Sequence, residues 1–301
     1  MNFSSFLTYK KSIIKCLICL VILIIVFWQI KKHYHIFEHI YRYHMVNIAN
    51  TFGNVIRNIS RAYKYKIVIF RSINYDIMPD YFIYHNEILE KYCTMHGYTL
   101  EIFNHKEVDM NPYWMRVQDL IKLSKKYDEN TIFIYMDIDT IINPKHLDKE
   151  INKLLYAYDT KTNNIWDIYL GIDLDHIVNT GIIIVKNTEW SKSLLNKWYS
   201  QYKPHNWSFD LESRKWSYNH NGRISDFATH GYEQGELNKL MMDDIIDYKN
   251  NMAILHYSWL SNRDIDSMHE IFIYHFYSND DNEFKNKNIK KIYKSQLKLS
   301  L

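Results

Sequence analysis

Glycine, proline and cysteine are scarce in this chain: 7, 4 and 3 of its 301 residues. So little glycine and proline excludes a collagen-like or low-complexity protein. Two of the cysteines, Cys16 and Cys19, fall in an apolar N-terminal run, which leaves Cys93 alone for the remainder. No disulfide can form within that remainder, and a domain of its size needs none, so cysteine does not indicate a compartment. Charge of one sign is also missing. A net charge of +3 and a pI near 8.4 are too weak and too scattered for nucleic-acid binding. There is no internal repeat. Apolar and aromatic residues are what the chain has in quantity, 47% and 16%, enough for a globular domain of roughly 200–250 residues plus appendages.

The N-terminal run "IIKCLICLVILIIVFWQI" extends from Ile13 to Ile30, broken only by Lys15 and Gln29. Its uninterrupted part is shorter than the ~20 residues of a standard span, but Lys15 can snorkel and Trp28 can sit at the interface. A cleaved signal peptide is the rival reading. It needs small residues at a cleavage site, and "QIKKHYHIF" after Trp28 has none, which favours an uncleaved anchor at 12–30 with a cytosolic tail at 1–11. The basic residues Lys10, Lys11 and Lys15 before the span, against Lys31 and Lys32 after it, place the N-terminus on the cytosolic side. Residues 31–64, aromatic and basic, read as a helical stem. The triplets "NIS" at Asn58 and "NWS" at Asn206 fit the glycosylation acceptor pattern.

From residue 65 to 280 strands and helices alternate. "KIVIFRS" (66–72), "TLEIF" (99–103), "TIFIYM" (131–136), "IYLGID" (168–173) and "TGIIIVK" (180–186) read as strands, as do "MAILHY" and "EIFIYHF" further on. Helices are expected over 84–98, stopping at Gly97, and over 113–127, 191–202 and 233–243. Alternation of this kind predicts an α/β layered fold with a mostly parallel central sheet. The basic end, 281–301, reads as a solvated terminal helix.

The central strand "TIFIYM" is followed directly by Asp137 and Asp139. Residues i and i+2 of an extended chain point to one side, at the carboxyl end of a strand, where ligands of open α/β sheets bind. Paired carboxylates repel, and each resists desolvation. A hard divalent cation, Mn²⁺ or Mg²⁺, removes both penalties and can also hold a diphosphate. Phosphatases of the haloacid-dehalogenase type also end an apolar strand with D-x-D, but continue it as D-x-D-x-T on the first strand. Here Thr140 comes one position early, and the motif lies well inside the domain.

The ordered set "HNEILEKYCTMHGY", Trp114-x-Arg116, "YMDIDTIINP", "NTGIIIVKNTEWSKSLLNKW" and "EQGELNKL" resembles the α-galactosyl-, α-mannosyl- and xylosyltransferases of glycosyltransferase family 34. The resemblance implies a GT-A (Rossmann-like) fold behind an N-terminal transmembrane helix, in a single-pass type II protein of the Golgi or another secretory-pathway membrane. It implies a retaining enzyme that moves a hexose or pentose from a UDP-Gal, GDP-Man or UDP-Xyl type donor to a hydroxyl of a glycan or glycoprotein, forming an α-linkage. Asp137 and Asp139 match the aspartates that hold the metal against the diphosphate. His275 in "EIFIYHF" matches the third ligand, with His256 in reserve because Phe276, Tyr277 and Ser278 replace the family's small residues. Asn179, Glu233 and Gln234 match residues lining the sugar pocket, and Arg116 and Ser72 fall to the nucleotide. Gln234 is a poor nucleophile, so front-face attack by the acceptor is the expected mechanism. An anchored sugar-binding protein without turnover remains the alternative.

Overall fold

The structure is a computed structural model that describes residues 17, 19–24, 65–73, 79–106, 110–172, 178–213, 215–220, 223–224, 230–243, 245–255, 272–276, 285, 287–292 and 294. The chain divides into two compact units, Met1–Ser60 and Arg61–Leu301. In the first, residues 17 and 19–24 are helical and expose their apolar side chains. Among the described residues no helix is long and apolar enough to cross a membrane. Most of the expected span, the stem and the Asn58 triplet lie outside the described residues.

The second unit is built on a six-stranded sheet in the order β10-β5-β6-β3-β1-β2. Its strands are β1 (Lys66–Ile73), β2 (Thr99–Asn104), β3 (Thr131–Met136), β5 (Ile168–Ile172), β6 (Val178–Lys186) and β10 (Met252–Leu255). The middle strands are apolar on both faces because both faces are covered. Ile67 and Ile69 of β1, with Ile132, Ile134 and Met136 of β3, point into one core; Val68 and Phe70, with Phe133 and Tyr135, point into the other. The first core is closed by Ile88, Leu89 and Tyr92 of α1 (Tyr81–His96) and by Ile151 and Leu155 of α3 (Ile151–Thr162). The second is closed by Trp114, Val117 and Leu120 of α2 (Pro112–Lys126), by Leu194 and Trp198 of α4 (Glu189–Tyr199), and by Leu237 and Leu240 of α5 (Glu233–Met242).

Local chemistry sets the helix ends. Gly97 adopts the left-handed conformation (φ 68°) that ends α1, which glycine enters without a Cβ penalty. Asn111 caps α2 by accepting the Tyr113 N–H, with Pro112 at the first helical position. Thr188 and Ser191 form a reciprocal cap on α4.

The sheet is mostly parallel, as expected, with one exception. β1 runs parallel to β2 and β3, and β5 parallel to β10, but β6 is antiparallel to both β3 and β5. The cause is the short link 173–177 between β5 and β6. A parallel return needs a crossover of roughly a dozen residues or more. A small second sheet pairs β4 (Thr140–Ile142) with β11 (Ile273–His275), placing His275 opposite Thr140. A third pairs β7 (Trp207–Asp210), β8 (Lys215–His220) and β9 (Arg223–Ile224). Asn206 of the second glycosylation triplet donates to Tyr218 Oη here (3.1 Å).

The solvated terminal helix expected at 281–301 is corrected by burial. Residues 287–292 are helical, and Ile289 and Ile292 lie in the first core. Apolar residues at i and i+3 form one helix stripe, a signal that the surrounding lysines obscured.

At the far end of the sheet from Asp137, Lys186 Nζ lies 2.9 Å from Asp159, which also accepts the Tyr169 hydroxyl (2.6 Å). Burial pushes the Asp159 pKa up against the opposing effect of Lys186. Lys186→Met strips a buried carboxylate of its cation and should cost about 3–5 kcal/mol at neutral pH. Chemical denaturation measures this, and a loss below about 1 kcal/mol would place the pair among weak surface bridges.

Candidate active site

β3 stops at Met136 because the next residues turn to meet two other strands. The Asp137 N–H donates to Gly181 O of β6 (2.8 Å), and the Phe276 N–H donates to Asp139 O (3.0 Å). Thr140 closes the turn with its N–H (3.1 Å) and its hydroxyl (2.7 Å) on Asp137 O. The two carboxylates are thus fixed by backbone contacts before any side chain acts.

Asp137 is held from α2. Arg116 grips it with Nη2 at 3.0 Å from Oδ1 and Nη1 at 3.2 Å from Oδ2, while the Tyr135 hydroxyl donates to Oδ1 at 2.5 Å. Arg116 Nη1 also donates to Thr180 O (3.0 Å) and lies 3.5 Å from Glu233 Oε1. Burial alone would lower the Arg116 pKa; Asp137, Tyr135 and Glu233 outweigh it and push it up. A planar fork held on several sides is a fixed charge, which lysine in this position would not supply.

Asp139 is held by different groups. His275 Nε2 lies 3.3 Å from Oδ1, and Lys285 Nζ lies 2.6 Å from Oδ2. Burial works to raise the Asp139 pKa; His275 and Lys285 overcome it and hold the carboxyl well below the usual range. His275 reaches this point through the β4–β11 pairing, and it rests against Gly181. A Cβ on Gly181 would come within 2.0 Å of the imidazole Cε1. One ligand atom from each of Asp137, Asp139 and His275 lies within 4.8 Å of the others. Two carboxylate oxygens and an imidazole nitrogen form a donor set for a divalent ion such as Mn²⁺ or Mg²⁺, so these residues fit the metal that the sequence implies.

Thr180 links this group to α5. Its N–H donates to Gln234 Oε1 (3.0 Å), and its hydroxyl lies 2.8 Å from Glu233 Oε1 and 3.2 Å from Gln234 Oε1. The Gln234 oxygen is therefore committed to the protein, leaving its NH2 end for a ligand. Glu233 is different: Oε2 is buried and has no hydrogen-bond partner, a costly state unless a ligand donates to it. Burial pushes the Glu233 pKa up, against the opposing pull of Arg116 and Thr180. Asn179 accepts the Gly181 N–H (2.9 Å), so it shapes the strand beneath His275.

The structure thus brings together Asp137, Asp139, His275, Arg116, Glu233, Gln234 and Asn179. Ser72 stands apart from them: its hydroxyl donates to Asp119 (2.7 Å), which also meets His105 (2.6 Å) and Lys122 (2.9 Å). His256 lies outside the described residues. Sequence reasoning passed over four contributors. Tyr135 and Thr180 look like ordinary strand residues, and Lys285 looked like part of a solvated tail. The fourth, Arg71, is a fully buried cation on β1 whose guanidinium nitrogens lie 3.1 and 2.7 Å from the ring nitrogens of His85. His85 in turn bonds the backbone of Ile138, between the two aspartates. Burial lowers the Arg71 pKa to about 10, while Asp137 and Asp139 oppose the shift. A charged residue inside an otherwise apolar strand was the available signal.

A family model described as the galactosyl transferase GMA12/MNN10 family matches residues 83–222. Among solved structures, the chain is similar to a glycosyltransferase involved in the glycosylation of the major capsid of PBCV-1. The TM-score is 0.53 and the identity 15%, over 75% of this chain and 99% of that one, a likeness of fold. No curated protein matches the chain. The family match includes Arg116, Asp137, Asp139 and Asn179 but ends before Glu233, Gln234, His275 and Lys285, whose places at the site rest on the geometry.

Gly181→Ala tests how the site is assembled. The new methyl must push the His275 ring off its position, and a ring can move at less cost than backbone. The variant should still fold, with its melting temperature lowered by the roughly 1–3 kcal/mol cost of overpacking, and should lose most of the thermal stabilisation that Mn²⁺ with a nucleoside diphosphate provides. Unchanged stabilisation would show that His275 does not hold the ion.

Proposed function

We propose that the chain is a retaining, metal-dependent glycosyltransferase of the galactosyl transferase GMA12/MNN10 family, whose model matches residues 83–222. It moves a hexose or pentose from a UDP-Gal, GDP-Man or UDP-Xyl type donor to a glycan hydroxyl, forming an α-linkage. The observation that carries this reading is the convergence of Asp137, Asp139 and His275 at the carboxyl end of β3, in a chain that shares the fold of a glycosyltransferase.

Asp137, Asp139 and His275 would hold Mn²⁺ or Mg²⁺, which when bound supplies Lewis-acid neutralisation of the leaving diphosphate. Arg116 stays on Asp137 and keeps that carboxylate oriented. Glu233 Oε2, buried and without a partner, accepts a hydroxyl of the bound sugar or acceptor and faces the positive charge that develops at the sugar. Preorganised acceptors of this kind stabilise such charge without reorganising. Gln234 is neutral and its oxygen is engaged by Thr180, so it offers no nucleophile for a covalent intermediate. That supports attack by the acceptor on the face the diphosphate leaves. The phosphatase alternative needs a free first aspartate as nucleophile, whereas Asp137 is gripped at both oxygens by Arg116. The apolar segment Ile13–Ile30 supports a type II anchor in a Golgi or other secretory membrane.

The experiment offers UDP-galactose, GDP-mannose and UDP-xylose to the protein with Mn²⁺ and scores release of nucleoside diphosphate. One donor should be turned over, with an α-linked product by NMR. Asp139→Asn should lower the rate by roughly two orders of magnitude or more, the scale of losing a preorganised charge, while the fold persists. Equal turnover in chelator, or binding of a sugar nucleotide without any turnover, would sink the metal-dependent transferase and leave the sugar-binding alternative.

A further inference from the structure

We propose that Lys285 is a built-in competitor of the metal ion, and that it makes tight metal binding depend on a diphosphate arriving with it. This rests on the reading of Asp137, Asp139 and His275 as the metal ligands.

Four observations carry it. Lys285 Nζ sits 2.6 Å from Asp139 Oδ2, and each of the two side chains is 13% exposed. A cation that uses Oδ2 must therefore break a largely desolvated ion pair. Asp137 is already neutralised by Arg116, which cannot withdraw because Thr180 O also holds it and Glu233 lies 3.5 Å away. A second guanidinium, that of Arg71, is fully buried nearby and acts electrostatically on both aspartates. Finally, Lys285 cannot drift far once displaced, because Ile289 and Ile292 fix the helical residues 287–292 in the core.

The two metal-binding carboxylates are thus matched by cations before any metal arrives. Adding a dication alone gives a local excess of positive charge, with the displaced ammonium held close to it; like charges in a partly buried site repel strongly. A diphosphate changes the balance. It brings the negative charge that the ammonium and the dication share, so each ligand strengthens the other's binding, a reciprocal coupling. Lysine suits this exchange because its ammonium is a point charge on a flexible stem, unlike the fixed fork of Arg116. The device would leave the site closed by an internal cation whenever no nucleotide is bound.

Titration of Mn²⁺ into the full-length protein, following the electron paramagnetic resonance signal of free Mn²⁺, tests this without turnover. Three conditions are compared: Mn²⁺ alone, with UDP, and with GDP. The wild type should bind Mn²⁺ weakly alone and at least about tenfold more tightly with one of the diphosphates, within the usual range of coupling. Lys285→Met and Lys285→Gln should bind Mn²⁺ alone about fivefold or more tightly than the wild type and lose most of the diphosphate-driven gain. Lys285→Arg, which keeps the charge, should retain the coupling. Folded Lys285 variants whose Mn²⁺ affinity and coupling equal the wild type's would overturn the role of Lys285 while leaving the metal site intact. A wild type that binds no Mn²⁺ in any of the three conditions would instead overturn the metal reading, and this inference with it.

Discussion

Two like charges at the end of a buried strand must be neutralised, and much of the unit is arranged to do so. At a separation of about 4 Å and an effective dielectric of about 20, two carboxylates repel by roughly 4 kcal/mol, a sizeable fraction of the stability of a whole domain. The chain answers from four directions. Arg116 comes from α2, Arg71 from β1 by way of His85, His275 from β11, and Lys285 from the C-terminal helical stretch. Each element is anchored in one of the two cores on either side of the sheet, so the site's electrostatics and the fold's packing depend on the same helices and strands.

Strand direction makes this possible. β6 runs against its neighbours, which brings the Asn179-Thr180-Gly181 segment beside the D-x-D turn. That short segment serves three ends at once. Gly181 admits the His275 ring and receives the Asp137 N–H on its carbonyl. Thr180 ties down Arg116 through its carbonyl, and Glu233 and Gln234 through its hydroxyl and N–H. Asn179 braces the strand. The buried oxygen Oε2 of Glu233 has no hydrogen-bond partner within the protein, a cost that a bound ligand can relieve.

The central strands were legible because burial on both faces demands uninterrupted apolar runs, and "KIVIFRS" and "TIFIYM" contain little else. Asp137 and Asp139 were legible because charge there violates that rule. What escaped was either short or disguised. β4 and β11 span three residues each, too few to show a period of two. The hairpin of β7 and β8 alternates aromatic residues (Trp207, Phe209, Trp216, Tyr218) with polar ones, but each run is short and set among polar residues. Helix α3 has only Ile151 and Leu155 fully buried, so its stripe is faint. Lys285 was hidden by company: among so many lysines at the end of the chain, nothing in the sequence distinguishes the one that meets Asp139. Ser72, expected at the nucleotide from the resemblance, donates its hydroxyl to Asp119.

On the function proposed above, Asp137, Asp139 and His275 together hold a divalent ion against a nucleoside diphosphate. Crystals grown with Mn²⁺ and UDP or GDP, with anomalous scattering measured at the manganese edge, test it most directly. The account predicts one strong anomalous peak bonded to all three side chains, with the Lys285 ammonium moved off Asp139. No peak at that point while a nucleotide is bound, or a peak that is not bonded to these three side chains, would contradict it.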